Sequence, residues 1–339
     1  MPAEWEPQQA VMLAWPHSGT DWHYMLNEVQ ECFKQIAEAI LLEMKLIVIT
    51  PQVDEARQLL SDVNNSHNII YQRIDTNDTW ARDFGPISVI DKNGTRYILD
   101  FKFNAWGLKF ASNYDNLICR EINKNGIFNS KFVNCQDFVL EGGSIESDGM
   151  GTILTTSQCL LSPNRNGVLT KDEIEDILAI RLGAKKVLWL NHGALVGDDT
   201  DAHIDTLARM APSNTILYVK CNNPADEQYE SLQLMEEELK SMTNAQGDMF
   251  KLVPLPCPAP IHDEEGQRLP ATYANFLITN SQVLVPIYNQ PENDSIAIKT
   301  IAQVFPERNV VGIDCNALIK QHGSLHCITM QIPANFLKL

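Results

Sequence analysis

Short β-branched runs trade places with longer helix-periodic segments from one end of this 339-residue chain to the other. Runs rich in Val, Ile and Tyr predict strands over Leu46–Thr50, Asn68–Gln72, Ile87–Ile90, Arg96–Phe103, Gly151–Thr156 and Lys185–Leu190. Further strands are predicted over Thr215–Lys220, Phe250–Leu255, Phe276–Ile287, Asn309–Asp314 and His326–Ile332. Apolar residues at helical spacing predict helices over Trp22–Glu43, Val53–Ser61, Lys171–Leu182, Ala225–Met242 and Asp294–Val304. Thr170 followed by Glu173 is a capping-box pattern for the third of these. Such alternation means a mixed α/β fold.

No Ser- or Gly-rich linker divides the chain, so residues 1–339 are read as one compact domain. A chain of this length buries about three quarters of its unfolded surface and needs no disulfide or metal staple. Pro254, Pro256, Pro258 and Pro260, with His262-Asp263-Glu264-Glu265-Gly266 after them, read as an extended loop, a class of segment that often gates or binds.

The net charge of −17 argues against nucleic acid, whose phosphates demand a basic face. It weakly favours a small cationic substrate, although solubility explains it equally well. Met1-Pro2-Ala3-Glu4-Trp5-Glu6-Pro7 is not a signal peptide. The apolar segment Ile40 to Ile49 is interrupted by Glu43 and Lys45 and is too short for a bilayer, so no membrane partner is expected. Eight cysteines without a C-x-x-C pair indicate a reducing cytoplasm. No glycine-rich nucleotide motif is present.

Four stretches place polar groups beside glycines or at strand ends. Trp80-Ala81-Arg82-Asp83-Phe84-Gly85-Pro86 precedes a predicted strand, and its plain reading is a turn with an Arg82–Asp83 surface pair. Leu140-Glu141-Gly142-Gly143-Ser144 lets backbone approach a ligand closely, or simply makes a tight turn. Asp198-Asp199-Thr200-Asp201-Ala202-His203-Ile204-Asp205 lacks thiolate or H-x-x-x-H metal spacing and reads plainly as a solvated helix start near Ala202. His203 and Asp205 diverge inside a helix, so joint action needs its first turn or an extended stretch. Gln321-His322-Gly323-Ser324-Leu325-His326-Cys327-Ile328-Thr329 puts a thiol at a strand end. One buried, inert cysteine among eight is the default there. If Cys327 is a nucleophile, His326 faces the other side of the strand, and His203 is the best candidate acid/base.

Together, in order, these stretches resemble the motifs of the agmatine deiminases, a family that includes the bacterial-type peptidylarginine deiminases within the guanidino-group-modifying superfamily. Trp5-Glu6-Pro7, Asn104-Ala105-Trp106-Gly107 and Leu269-Pro270-Ala271-Thr272-Tyr273-Ala274-Asn275-Phe276 extend the resemblance over nearly the whole chain. It implies the pentein fold, an α/β propeller of five ββαβ-type units around a central channel. It also implies hydrolysis of a guanidinium to a urea group and ammonia, without metal or organic cofactor. By motif position Asp83 and Asp205 hold guanidinium nitrogens, His203 is the acid/base, Cys327 the nucleophile and Glu141 a further carboxylate. Trp80, Trp106 and Gly323 are expected to line the substrate. A homodimer is compatible with the family.

A planar, cationic guanidinium matches carboxylates bidentately, which gives this residue set a chemical reason of its own. The resemblance implies Gly-Gly-Asn where the chain has His322-Gly323-Ser324, a His where it has Glu146, and a Gly where it has Ala202. Only Arg82 among the cations is tied to the motifs, and it is expected to be structural. An agmatine ammonium needs no cation to receive it, so agmatine is favoured over arginine or peptidyl-arginine. The other readings are a non-catalytic guanidino-binding protein of the same fold and a thiol amidase, which would need fewer carboxylates.

Overall fold

A computed structural model describes residues 1–338 and shows a mixed α/β chain. Among these residues the strands form five sheets of three or four strands and one two-stranded hairpin. One pairing pattern recurs in all five. A short strand runs antiparallel to a central strand, which pairs in parallel with the strand after a helical crossover.

In the second sheet Ile87–Ile90 is antiparallel to Arg96–Lys102, which is parallel to Lys131–Val139. The third uses Ile145–Ser147, Thr152–Thr156 and Lys186–Leu190 in the same way. The fourth uses Ala208–Ala211, Thr215–Lys220 and Lys251–Pro256, and the fifth Leu277–Ile278, Gln282–Ile287 and Asn309–Asp314. In the first sheet the antiparallel strand comes from the far end of the chain. Thr329–Pro333 pairs with Gln8–Ala14, which is parallel to Lys45–Thr50, itself parallel to Ile69–Arg73.

Central and inner strands are buried on both faces, so they read as continuous apolar runs such as Leu46-Ile47-Val48-Ile49. The crossover helices cover them with one apolar stripe each. Leu26–Leu41 buries Val29, Cys32, Phe33, Ile36, Ala37 and Ile40 at helical spacing. Lys171–Leu182 has the expected capping box, with Thr170 Oγ1 accepting from Glu173 N and the Glu173 carboxylate accepting from Thr170 N.

Several expectations are corrected. The run Phe276–Ile287 is a hairpin of two strands, because Thr279-Asn280-Ser281 turns between them. Pro254 and Pro256 lie inside an edge strand instead of a loop, where a missing N–H costs no ladder bond, and the loop ahead contains the small hairpin Ile261–His262 with Arg268–Leu269. The helix near Ala202 lasts only from Ile204 to Leu207 before the chain enters a strand. The last strand begins at Thr329, so Cys327 sits in the turn before it.

Candidate active site

The turn leading into each antiparallel strand carries the polar side chains of the site. Asp83 lies in the turn Ala81–Phe84 before Ile87, and Glu141 precedes the turn Gly142–Ser144 before Ile145. His203 caps the turn Ile204–Leu207, which contains Asp205, so the two act from a first turn. Asn275 precedes Leu277, and Cys327 precedes Thr329. Equivalent positions in the five sheets therefore carry these side chains. Gly143 allows the closest approach: a Cβ there would lie 2.7 Å from His203 Nδ1 and 2.8 Å from Asp83 Oδ1.

The Cys327 thiol points at Asn275 Oδ1, 3.3 Å away, and lies 3.8 Å from Asp205 Oδ2. Asp83 Oδ2 accepts from Trp106 Nε1 at 2.8 Å and Oδ1 from Gly143 N at 3.0 Å. His203 Nδ1 stands 3.6 Å from Asp83 Oδ1. Asp205 Oδ2 takes His326 Nδ1 at 2.7 Å, while its Oδ1 and both ring nitrogens of His203 are buried without a protein partner. Buried donors and acceptors left unpaired are costly unless a ligand satisfies them.

The electrostatics follow from burial and from like charges held close. Burial, with Asp205 and Asp83 nearby, pushes the Cys327 thiol well above its usual range. Burial also pushes Asp83 up to about 6, against the pull of His203. Burial opposes a charge on His203, yet Asp83 and then Cys159 outweigh it and the ring is pushed up to about 10. Burial likewise opposes Asp205, but the bond from His326 holds its carboxyl below the usual carboxylate range.

A pocket of about 470 Å³, counted to its open mouth, leads to Cys327 and Asp83. Trp80 and Trp106 form walls, and Asp21, Asp78 and Asp199 line it, with neither Lys nor Arg among the described lining residues. Gly323 is needed where it is, since a Cβ would meet the Trp80 ring at 2.2 Å. Ala202 and His322 take φ of +60° and +65°, a region that glycine enters freely and other residues at a cost of about 1 kcal/mol. Thr156 Oγ1 and the Asp198 carboxylate hold the Ala202 backbone, and the His322 ring is tied to Gly197 O at 2.8 Å.

Arg82 and Asp83 are both buried, which corrects the surface-pair reading, and Arg82 donates to Gln331 Oε1. The expectation that no other cation touches the motifs is wrong. Arg165 Nε donates to both Glu141 oxygens, at 2.9 and 3.1 Å, and its Nη1 meets Asp201. Arg209 joins Glu4 at 2.7 Å and Glu146 at 2.5 Å. His326 does face away from the pocket, but it touches Asp205 from behind. Sequence reasoning gave no role to Asn275, Arg165, Arg209 or Glu4. The signal that finds Asn275 is its place before the short strand of the fifth sheet. Two groups have ligand atoms close enough for a metal ion, Glu141 with Cys159 and His203, and Glu4 with Glu146 and His326. In each a guanidinium already neutralises the carboxylates.

A family profile described as Porphyromonas-type peptidyl-arginine deiminase matches residues 1–333. A solved Porphyromonas gingivalis structure provisionally named arginine deiminase is 50% identical, covers 100% of this chain and 99% of its own, and superposes with a TM-score of 0.95. A cysteine-to-serine C. jejuni agmatine deiminase with substrate bound is 40% identical, covers 99% and 96%, and gives 0.91. A Vibrio parahaemolyticus protein provisionally named agmatine deiminase is 36% identical over 354 residues, 98% of this chain and 96% of its own. A dimethylarginine dimethylaminohydrolase, 11% identical with a TM-score of 0.51, shares the pentein fold alone. Agreement over the whole length, in sequence as in coordinates, makes the chain a member of the Porphyromonas-type peptidyl-arginine deiminase family.

Proposed function

We propose that this chain is a hydrolase that converts agmatine to N-carbamoylputrescine and ammonia through a covalent Cys327 intermediate. The observation that carries the reading is the unpartnered Asp205 Oδ1, buried in the same site as Asp83, His203 and the Cys327 sulfur. A flat cation with a fork of N–H donors is the ligand such oxygens suit.

The guanidinium enters between Asp83 and Asp205, and its positive charge arrives beside a thiol that the empty site holds protonated. Each carboxylate that raises the thiol is then neutralised, so the thiol gives its proton to solvent at the channel mouth and the thiolate attacks the central carbon. A C–S bond forms and the planar carbon becomes tetrahedral. His203, a cation in the resting site, gives its proton to one nitrogen, and the C–N bond breaks with loss of ammonia. The neutral imidazole then takes a proton from water as the water adds to the thiouronium carbon. The C–S bond breaks, the adduct's hydroxyl proton passes to the departing sulfur, and the urea product leaves with the thiol restored. Glu141, shared with Arg165 and close to the His203 ring, supports that imidazolium.

The pocket mouth favours agmatine over arginine. Asp21, Asp78 and Asp199 offer negative charge where agmatine carries an ammonium and arginine a carboxylate, and no lining cation is available for the latter. The relatives named above include both an agmatine and an arginine deiminase, so the mouth is the discriminating feature. Trp80, Trp106 and Gly323 shape the channel for the alkyl chain.

The same reading takes residues 1–339 as one catalytic unit whose five sheets close into a propeller around the channel. Its support is the shared pairing pattern and the first sheet, which joins both ends of the chain. The acidic balance supports a small guanidino cation as partner in preference to nucleic acid. A cytoplasmic location and a homodimer belong to this reading on the resemblance alone; no described helix is long and apolar enough to cross a membrane.

Ammonia release from agmatine, arginine and a peptidyl-arginine, measured side by side, tests the proposal. Agmatine is expected to have a kcat/KM about 100-fold above the others, the effect of pairing one distal charge correctly and mispairing it. A preference for either arginine form overturns the assignment.

A further inference from the structure

Behind the pocket lies a second set of charges that the reaction does not consume. His326 is almost wholly buried, with Nδ1 2.7 Å from Asp205 Oδ2 and Nε2 2.8 Å from Glu4 Oε2. Glu4 comes from the N-terminal segment, 322 residues away in sequence. Its Oε2 also receives Arg209 Nη2 at 2.7 Å, and its Oε1 receives Ile278 N at 2.7 Å. Arg209 continues to Glu146, which also accepts from Met210 N at 2.9 Å. Arg82 lies 4.0 Å from Glu4 and donates its backbone N–H to Cys327 O at 3.0 Å.

An ionised carboxylate can only accept hydrogen bonds. A neutral imidazole has one donor nitrogen and one acceptor, so between two carboxylates it would turn a lone pair toward one of them. Protonating Glu4 instead is disfavoured by Arg209, which with His326 holds that carboxyl far below its usual range despite burial. Both ring nitrogens therefore donate. The buried set then balances, with Glu4, Glu146 and Asp205 against Arg82, Arg209 and His326, as burial requires.

The contact also decides where Asp205 points. Oδ2 is held by His326 while lying 3.8 Å from the Cys327 sulfur, and Oδ1 is left without a protein hydrogen-bond partner. Asn275 ties the same two segments together. Its Oδ1 accepts from His326 N at 2.9 Å and Cys327 N at 3.2 Å, and its Nδ2 donates to Asp205 O at 3.2 Å. Aim and distance between Asp205 and Cys327 are thus set by groups that never meet substrate.

We propose that His326 is a positioning residue, a doubly donating imidazolium clamped between Glu4 and Asp205 that fixes the Asp205 carboxylate beside the Cys327 sulfur. The inference rests on the reading of Asp205 as a guanidinium carboxylate. Its first test needs no substrate: nitrogen-15 NMR of the histidine-labelled full chain, with His326 assigned by its loss in His326→Asn. Two ring N–H signals are expected for His326, and a single one overturns the proposal.

Kinetics supply the second test. An Asn side chain places its amide N–H near the Nδ1 position and keeps the bond to Asp205, whereas Gln reaches the Nε2 position and keeps only Glu4. His326→Gln is expected to raise KM for agmatine by about 10- to 100-fold, the effect of losing one hydrogen bond to a buried charge, and His326→Asn by clearly less. Equal KM values in two variants of equal Tm would assign His326 to folding alone and overturn the proposal. Should neither variant fold, the wild-type spectrum decides, with His326 then assigned through its backbone correlations to Leu325 and Cys327. Absence of turnover on every guanidino substrate would refute the functional reading while leaving the two N–H signals in place.

Discussion

Nδ1 of His203 stands 3.6 Å from Oδ1 of Asp83, and both side chains are shut away from water. Each sets the charge of the other. The carboxylate keeps the ring protonated up to about pH 10, while burial lifts the carboxyl itself to about 6. At neutral pH the pair is therefore ionic, a carboxylate ready for a guanidinium and an imidazolium ready to protonate a leaving amine.

The acid side of the pH profile should follow Asp83. Below about pH 6 the carboxyl takes a proton and the guanidinium loses one of its acceptors. kcat/KM is expected to fall about tenfold per pH unit below that point. Asp83→Asn should remove this limb and lower kcat/KM by roughly a thousandfold at pH 7.5. Its Tm should not fall. A carboxyl whose folded value exceeds its unfolded one gives up stability as pH rises through the folded value, so at neutral pH its charge weakens the fold. A flat profile between pH 4.5 and 8 would contradict the assignment.

Cys327 presents the opposite case: as the proposed nucleophile it would be held inactive until its substrate arrives. Burial and two carboxylates keep the free thiol protonated at neutral pH. The thiolate absorbs near 240 nm, so difference spectra can follow it. The free protein should show little of this absorbance at pH 7.5 and gain it on binding an unreactive alkylguanidinium. Cys327→Ser should abolish the signal and turnover together, with Tm within about 2 °C of the parent. A strong thiolate band in the free protein would mean that a group other than the substrate activates the sulfur.

The groups proposed to carry the reaction were legible because they break pattern locally. Asp83, Glu141, His203, Asp205 and Cys327 are polar or nucleophilic residues set beside glycines and apolar runs, and four short motifs in order identify a family. Their supports left no such trace. Arg165 meets Glu141 from 24 residues away and Arg209 meets Glu4 from 205, spacings that no periodicity records. Strand bounds at Ile87–Ile90, Thr215–Lys220 and Asn309–Asp314 agree with expectation because each is a sustained β-branched run. Ile145–Ser147 and Ala208–Ala211 went unseen, since neither short run has the β-branched density that marks the equally short Ile87–Ile90. Those short strands are the repeated element that positions the site. The sequence therefore revealed the chemistry more readily than the repeat that assembles it.

Arg165 should matter most for stability. Its guanidinium is fully buried against Glu141, which is itself fully buried, and it also reaches Asp201 and Thr200 O. Arg165→Met would leave the Glu141 charge without a partner in a dry site. A loss of about 3–5 kcal/mol in urea denaturation is expected, the usual result of breaking a buried pair from one side. Glu141→Gln in the same background should recover part of it, because a neutral amide no longer requires a counter-ion. No loss in the single variant would show that water reaches Glu141.

Substrate choice should be set by the rim of the pocket. Asp78 and Asp199 line the channel beyond Trp80, and burial pushes both carboxyls up, Asp78 to about 7. As pH falls through 7, Asp78 takes a proton and the site loses a negative charge for the distal ammonium. KM for agmatine should then rise in the wild type before the Asp83 limb begins. Asp78→Asn should raise KM about tenfold at pH 8, with kcat within about twofold, because the ammonium lies far from the reacting carbon and its pairing is equal in ground and transition states. The variant should also lose the rise in KM between pH 8 and 6.5. Arginine, which brings a carboxylate to the same place, should gain from Asp78→Asn and Asp199→Asn together. A double variant that discriminates between agmatine and arginine as strongly as the parent would remove the acidic rim from specificity and leave channel shape, through Trp80 and Trp106, as the determinant.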